Sequence, residues 1–266
     1  MLEKVKSKYI MEKLFGNIKN KRKLNIIKYN KKIVARLNIN KEHFENYIKL
    51  NEFNNRYNTN IEDINNKELN LENKRIGNEG LKSLFKIEFK ELKELNLSYN
   101  EISDINILEK VKFKELNKLN LNGNSITDVN ILEKVNFNEL QELYLGCNEI
   151  SDINILGKVN FKKLNTLNLG SNNISDINIL EKVNFKELQE LILSHNEITN
   201  INILEKVNFK ELKVLDLKFN EISDIKILAK IKFKELKELD LSYNKINNDE
   251  NNSIIKNLKL KLNLIV

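Results

Sequence analysis

The sequence predicts an α/β solenoid: a parallel concave sheet, short helices or 3₁₀ turns on the convex side, and a small helical region in front. Three observations carry that expectation. A 24-residue unit, written FKELKELNLSYNEISDINILEKVK at residues 89–112, recurs seven times in register. Within each copy leucines alternate over a short stretch, as at Leu95 and Leu97, which places them on one face of a strand. Further on, Ile102, Ile105, Leu108 and Val111 return at every third position, the period of a 3₁₀ turn.

The 266 residues divide into a basic helical region, 1–60, and a solenoid, 61–266. In the head, Val5, Ile10, Met11, Leu14, Phe15 and Ile18 follow helical spacing, and so do the apolar residues from Leu24 to Leu37. Residues 1–50 hold 14 Lys or Arg against four Glu, a balance of +10; with a chain total of +7, the remainder carries −3. Three roles stay open for this head: a helical cap, a docking element, or a contact with nucleic acid or an acidic membrane through KNKRK at 19–23. Aromatic residues do not interleave with these charges as a base-stacking platform requires, so nucleic acid ranks last.

The stretch 61–88 reads as a degenerate first repeat, with Leu69 and Leu71 as strand leucines. Seven regular repeats begin at Phe89, each with the frame L-x-x-L-x-L-x-x-N-x-I. The asparagine column runs Asn100, Asn124, Asn148, Asn172, Asn196, Asn220 and Asn244; Lys74 stands in its place in the degenerate copy. The chain turns inward just after each strand, and a buried carboxamide can satisfy the amides and carbonyls left there. Asp104, Asp128, Asp152, Asp176 and Asp224, with Asn200, precede the expected turns, where a side-chain oxygen can cap free amides. The column from Phe89 to Phe233 should fill the core. Residues 246–266 form a C-terminal cap in which LKLKLNLIV alternates like a closing strand.

The frame's third, fifth, seventh and eighth places should face the concave side, with the tenth at its rim. They hold ten acids against Lys118, Lys218 and Lys245, a balance of −7 that repels a phosphate backbone and suits a basic or mixed-charge polypeptide. Among these columns the copies break toward apolar residues at Tyr144, Cys147, Ile192, His195, Val214 and Phe219, with Tyr99 and Tyr243 nearer the ends. Apolar groups ringed by carboxylates resemble an interface centre, so the expected partner-binding residues are these eight with Glu142, Glu190 and Asp216. Repeats three to six should form the patch.

Catalysis finds little support. His43 and His195, the two histidines, lie in different segments, and Cys147 falls two repeats before His195. No phosphate-binding glycine loop, zinc spacing or serine-hydrolase elbow is present, and no catalytic residue, metal site or cofactor is expected. No apolar run approaches the roughly 20 residues that cross a bilayer. The N-terminus lacks a signal-peptide core, and the single cysteine cannot form an intrachain disulfide. An intracellular location, cytoplasmic or nuclear, is the expectation.

The copies LNLSYNEISDINIL and LNLGSNNISDINIL resemble the internalin-like and phosphatase-1-regulator-like class of leucine-rich repeats. The resemblance covers residues 61–266 and implies a leucine-rich-repeat horseshoe that binds protein through its concave side. In the head, IMEKLFGNIKNKRKLNIIKYNKKIVARL weakly resembles an F-box in apolar spacing and length. Two functions follow: a non-catalytic protein-interaction scaffold, or a ubiquitin-ligase substrate receptor that docks through a degenerate F-box-like head. The oligomeric state is left open.

Overall fold

The computed structural model describes residues 32, 35, 41–111, 113–231, 233–260 and 263–266. The expectations for KNKRK and, apart from residues 32 and 35, for the F-box-like stretch therefore lie outside the described residues. Nine three-residue strands form one parallel sheet in chain order: β1 (Glu68–Asn70), β2 (Glu94–Asn96), β3 (Lys118–Asn120), β4 (Glu142–Tyr144), β5 (Thr166–Asn168), β6 (Glu190–Ile192), β7 (Val214–Asp216), β8 (Glu238–Asp240) and β9 (Asn263–Ile265). Parallel pairing keeps like residues beside like, so Leu95 faces Leu119 and Leu119 faces Leu143. At a strand spacing of about 4.8 Å, the sheet is on the order of 40 Å long.

Between strands the chain returns through 3₁₀ turns, among them Asn130–Glu133, Asn154–Gly157 and Asn178–Glu181. Each turn starts on the expected side-chain cap. The Asn106 N–H donates to Asp104 Oδ1 at 2.9 Å, and the Asn130 N–H to Asp128 Oδ1 at 2.8 Å. Asn200 accepts from the Asn202 N–H in the same way. The core between sheet and turns is apolar throughout: Leu95, Leu97, Ile102, Ile105 and Leu108 are all buried, and so are their equivalents along the array. Phe89 to Phe209 are buried as expected, whereas Phe233 is only partly covered, because the unit after it is a helix rather than another repeat.

The asparagine column works as a clamp between neighbouring repeats. Asn124 Oδ1 accepts from the N–H groups of Asn100 and Ile102 in the preceding copy, at 3.1 and 2.9 Å. Its Nδ2 donates backward to the Leu97 carbonyl and to the Leu121 carbonyl of its own copy. Asn148, Asn172, Asn196 and Asn220 repeat the bond from the isoleucine N–H of the preceding copy and the backward donation to its leucine carbonyl. In the degenerate copy Lys74 has no such reach, yet its N–H is taken by Asn100 Oδ1 at 2.9 Å, so the clamp closes from the other side.

Both ends are covered by helices. Helix α1 (Lys41–Tyr57) buries Leu50 and Phe53 in the same core as the repeats. Its Asn46 pairs with the backbone of residue 88, donating to the carbonyl and accepting from the N–H at 3.0 and 2.9 Å. Helix α2 (Gly77–Leu84) meets α1 at Gly80, where an added Cβ would stand 2.9 Å from the Tyr57 ring. At the other end a helix absent from the sequence reading, α3 (Asn248–Lys259), packs Ile255 and Leu258 inward before β9 pairs with β8.

Candidate functional site

Strand alternation sends the third and fifth places of each frame to the outer, concave face, where most are part-exposed on either side of a buried leucine, as in Glu94-Leu95-Asn96, although Thr166 is buried. The seventh place departs from the expectation. Ser98, Gly146, Gly170, Ser194 and Ser242 are buried there, because the chain is already turning toward the core, while Asn122 and Lys218 in the same column are half-buried. This small-residue preference was visible in the sequence.

The fifth place has a structural duty that sequence reasoning missed. Asn96, Asn120, Asn168, Asp216 and Asp240 each accept, through Oδ1, the N–H of the seventh place at 2.9 to 3.0 Å. An Asx residue two positions before a turn is the readable signal. One oxygen of Asp216 therefore serves the backbone. Tyr144 and Ile192 break this column and give up the local bond; the Gly146 N–H is instead caught by Asn122 Oδ1 of the preceding repeat at 2.6 Å.

Around Tyr144 the face carries a closed polar cluster. Lys118 Nζ lies 2.7 Å from Glu142 Oε2, and the Tyr144 hydroxyl donates to the same oxygen at 2.8 Å. Burial raises the Glu142 carboxyl pKa, but the hydrogen bonds from Lys118 and Tyr144 outweigh it and leave the group below the usual carboxylate range. Burial, then the bond to Glu142 and the charges of Glu142 and Glu190, push the Tyr144 phenol up. Glu221 is paired with Lys245. Among the described residues Glu94, Glu190, Glu197 and Glu238 make no ion pair, so the face keeps an uncompensated acidic character.

The eighth place is the second feature the sequence reading did not resolve. Asn73, Tyr99, Gly123, Cys147, Ser171, His195, Phe219 and Tyr243 all hold φ between 51° and 65°, the left-handed region. Asn and Gly adopt it readily; for other residues it costs on the order of 1–2 kcal/mol. Gly123 and Asn73 in the column were the available clue. Gly123 is also required by packing, since a Cβ there would sit 2.4 Å from the Tyr99 ring lying across it.

Three of these rim side chains stack. His195 and Phe219 rings are 4.2 Å apart at 22°, and Phe219 and Tyr243 are 4.1 Å apart at 9°. Lys218 Nζ is 5.2 Å from both the Phe219 and Tyr243 centroids. Equal distances to two nearly parallel rings put the ammonium beside the sandwich, opposite the ring edges, and not over a π face.

The expected partner-binding residues thus fall into distinct groups. Glu142 and Tyr144 belong to the polar cluster; His195, Phe219 and Tyr243 form the rim stack. Ile192 pairs with Asp216 across the β6–β7 strands, and Glu190 with Val214. Cys147 is exposed on the rim three repeats from Phe219, and Tyr99 stands apart at the N-terminal end. Among the described residues no three His, Cys, Asp or Glu side chains converge as a metal site, and no helix is long and apolar enough to cross a membrane.

Comparison with known proteins agrees with this geometry. Repeat models described as "Leucine Rich repeats (2 copies)" match residues 90–134 and 186–230, and those described as "Leucine rich repeat" match 138–198 and 235–249. No curated protein sequence matches the chain. Among solved structures, internalin C2 from Listeria monocytogenes is 24% identical, with a TM-score of 0.61 over 81% of this chain and 89% of that one. A leucine-rich-repeat protein of Leptospira interrogans is 23% identical, with a TM-score of 0.51 over 70% of this chain and 51% of that one. The PEPR1–AtPEP1 complex gives 20% identity and a TM-score of 0.51 over 69% of this chain and 27% of that one. These likenesses concern the fold.

Proposed function

Because this chain belongs to the leucine-rich-repeat proteins, a group that typically serves as interaction modules, we propose that it is a non-catalytic, intracellular protein-binding scaffold. Its partner is a basic or mixed-charge polypeptide held on the concave face. The observation that carries this reading is the rim column. Tyr99, His195, Phe219 and Tyr243 occupy left-handed backbone where Gly123, in the same column, would be unstrained. Strained positions with exposed aromatic side chains cluster at binding sites.

Two further points support it. Tyr144 and Ile192 replace the Asx residue that secures the strand end elsewhere, and Glu94, Glu190 and Glu238 leave the face acidic. The substrate-receptor alternative rests on the spacing of residues 10–37, which apart from 32 and 35 lie outside the described residues, and no observation on the array favours it.

The test is affinity purification with the full-length chain, comparing wild type with Tyr144→Ala/Phe219→Gly and with a control outside the strand and rim columns, Glu187→Lys in the exposed turn before β6. A partner retained by the control and lost from the double variant supports concave binding. Equal recovery by all three rejects it.

A further inference from the structure

Among the described residues Tyr243 is the last ring of the rim stack, with one face against Phe219. Phe219 lies 4.1 Å away against its inner face at an angle of only 9°, yet Tyr243 remains 68% exposed. With one face screened, that exposure comes from the ring rim and the outer face. Phe219, in the middle of the stack, is 37% exposed. The chain's own cation does not fill the open face, since Lys218 Nζ sits alongside the stack at 5.2 Å from both centroids.

We propose that the outer face of Tyr243 is a stacking site for the guanidinium of an arginine in a partner polypeptide, which becomes the fourth rung of the ladder. This rests on the concave-binding reading above and adds the residue type recognised and its place. Three points select a planar cation. The π face of a phenol is electronegative, and the two stacked rings behind it hold that face fixed. On the concave face β8 carries Glu238 and Asp240 just inside β9, whose Asn263 and Ile265 bring no positive charge, and Glu238 has no ion pair among the described residues. Asp240 Oδ1 accepts from the Ser242 N–H and hydroxyl, so its other oxygen remains to receive a guanidinium N–H. A lysine could use the charge but could not continue the stack.

The proposal is tested with nine-residue oligo-arginine and oligo-lysine peptides of equal charge, titrated against full-length protein and its Tyr243→Gly variant. Glycine suits the left-handed backbone at this position, φ 57°, so removing the ring does not add backbone strain. The expected result is oligo-arginine binding about two- to fivefold tighter than oligo-lysine to wild type, a preference that vanishes in Tyr243→Gly. A preference unchanged by the substitution overturns the stacking site. Equal binding of both peptides to wild type also overturns it, and leaves the acidic-face reading standing. Binding of neither overturns both. A Tyr243-dependent interaction with a thymidine oligonucleotide, absent for oligo-arginine, would assign the open face to a nucleobase instead.

Discussion

Asn244 and Tyr243 are neighbours in the chain and belong to columns with opposite physics. The asparagine column is nearly uniform, mostly buried and bonded through both side-chain polar atoms; the residue before it varies from glycine to tyrosine, is often exposed and holds a left-handed backbone throughout. Uniformity here reports a backbone debt that each repeat must settle in the same way. Variation reports a position that the fold leaves free, and there bulky residues sit in a backbone conformation they do not prefer.

The interior column should break most severely. Asn172→Ala removes the acceptor for the Ile150 N–H and the donor to the Leu145 and Leu169 carbonyls, all buried. Leaving several such groups unpaired should cost at least about 3 kcal/mol, read from the urea midpoint. Phe161→Ala, at 2% exposure, should cost about 3–5 kcal/mol in the same assay. A loss well under 1 kcal/mol in either would contradict the description of the core.

The rim column should behave in the other direction. Ser171→Gly relieves a left-handed serine at φ 55° without removing a stacked ring, and should raise stability by about 1 kcal/mol. A destabilised Ser171→Gly would mean that the column carries no strain. The smallest effect belongs to Glu142. Its carboxyl pKa is depressed in the folded state, so its contribution is complete above about pH 5 and is lost as pH falls through that lowered value. Glu142→Gln should remove this small dependence, and an unchanged acid limb in Glu142→Gln would assign it to other carboxylates.

The contrast also explains what could be read in advance. Leucines, asparagines, phenylalanines and capping aspartates each recur at a fixed place for a single reason, so seven copies displayed their roles and the structure places them as expected, apart from the part-exposed Phe233. The site columns carried two overlaid messages. Asp216 and Asp240 look like surface acids, but each gives one oxygen to a backbone N–H. The seventh place looked exposed by strand alternation, yet the strands are only three residues long and the turn has already begun. The stack of His195, Phe219 and Tyr243 was hidden because their contact depends on parallel register and on a left-handed backbone, neither of which is written in any single repeat. The helix α3 was hidden for a different reason: it belongs to no repeat, and its asparagine-rich opening resembles a loop.

The central claim is that the interior column holds the fold and the rim column holds the partner. It is tested most directly by making Phe219→Gly and Asn220→Ala, one residue apart, and measuring urea midpoint and partner binding for both. The account predicts that Phe219→Gly keeps a near-wild-type midpoint and loses binding, while Asn220→Ala lowers the midpoint and, where still folded, binds as wild type. Retained binding by a folded Phe219→Gly would contradict it.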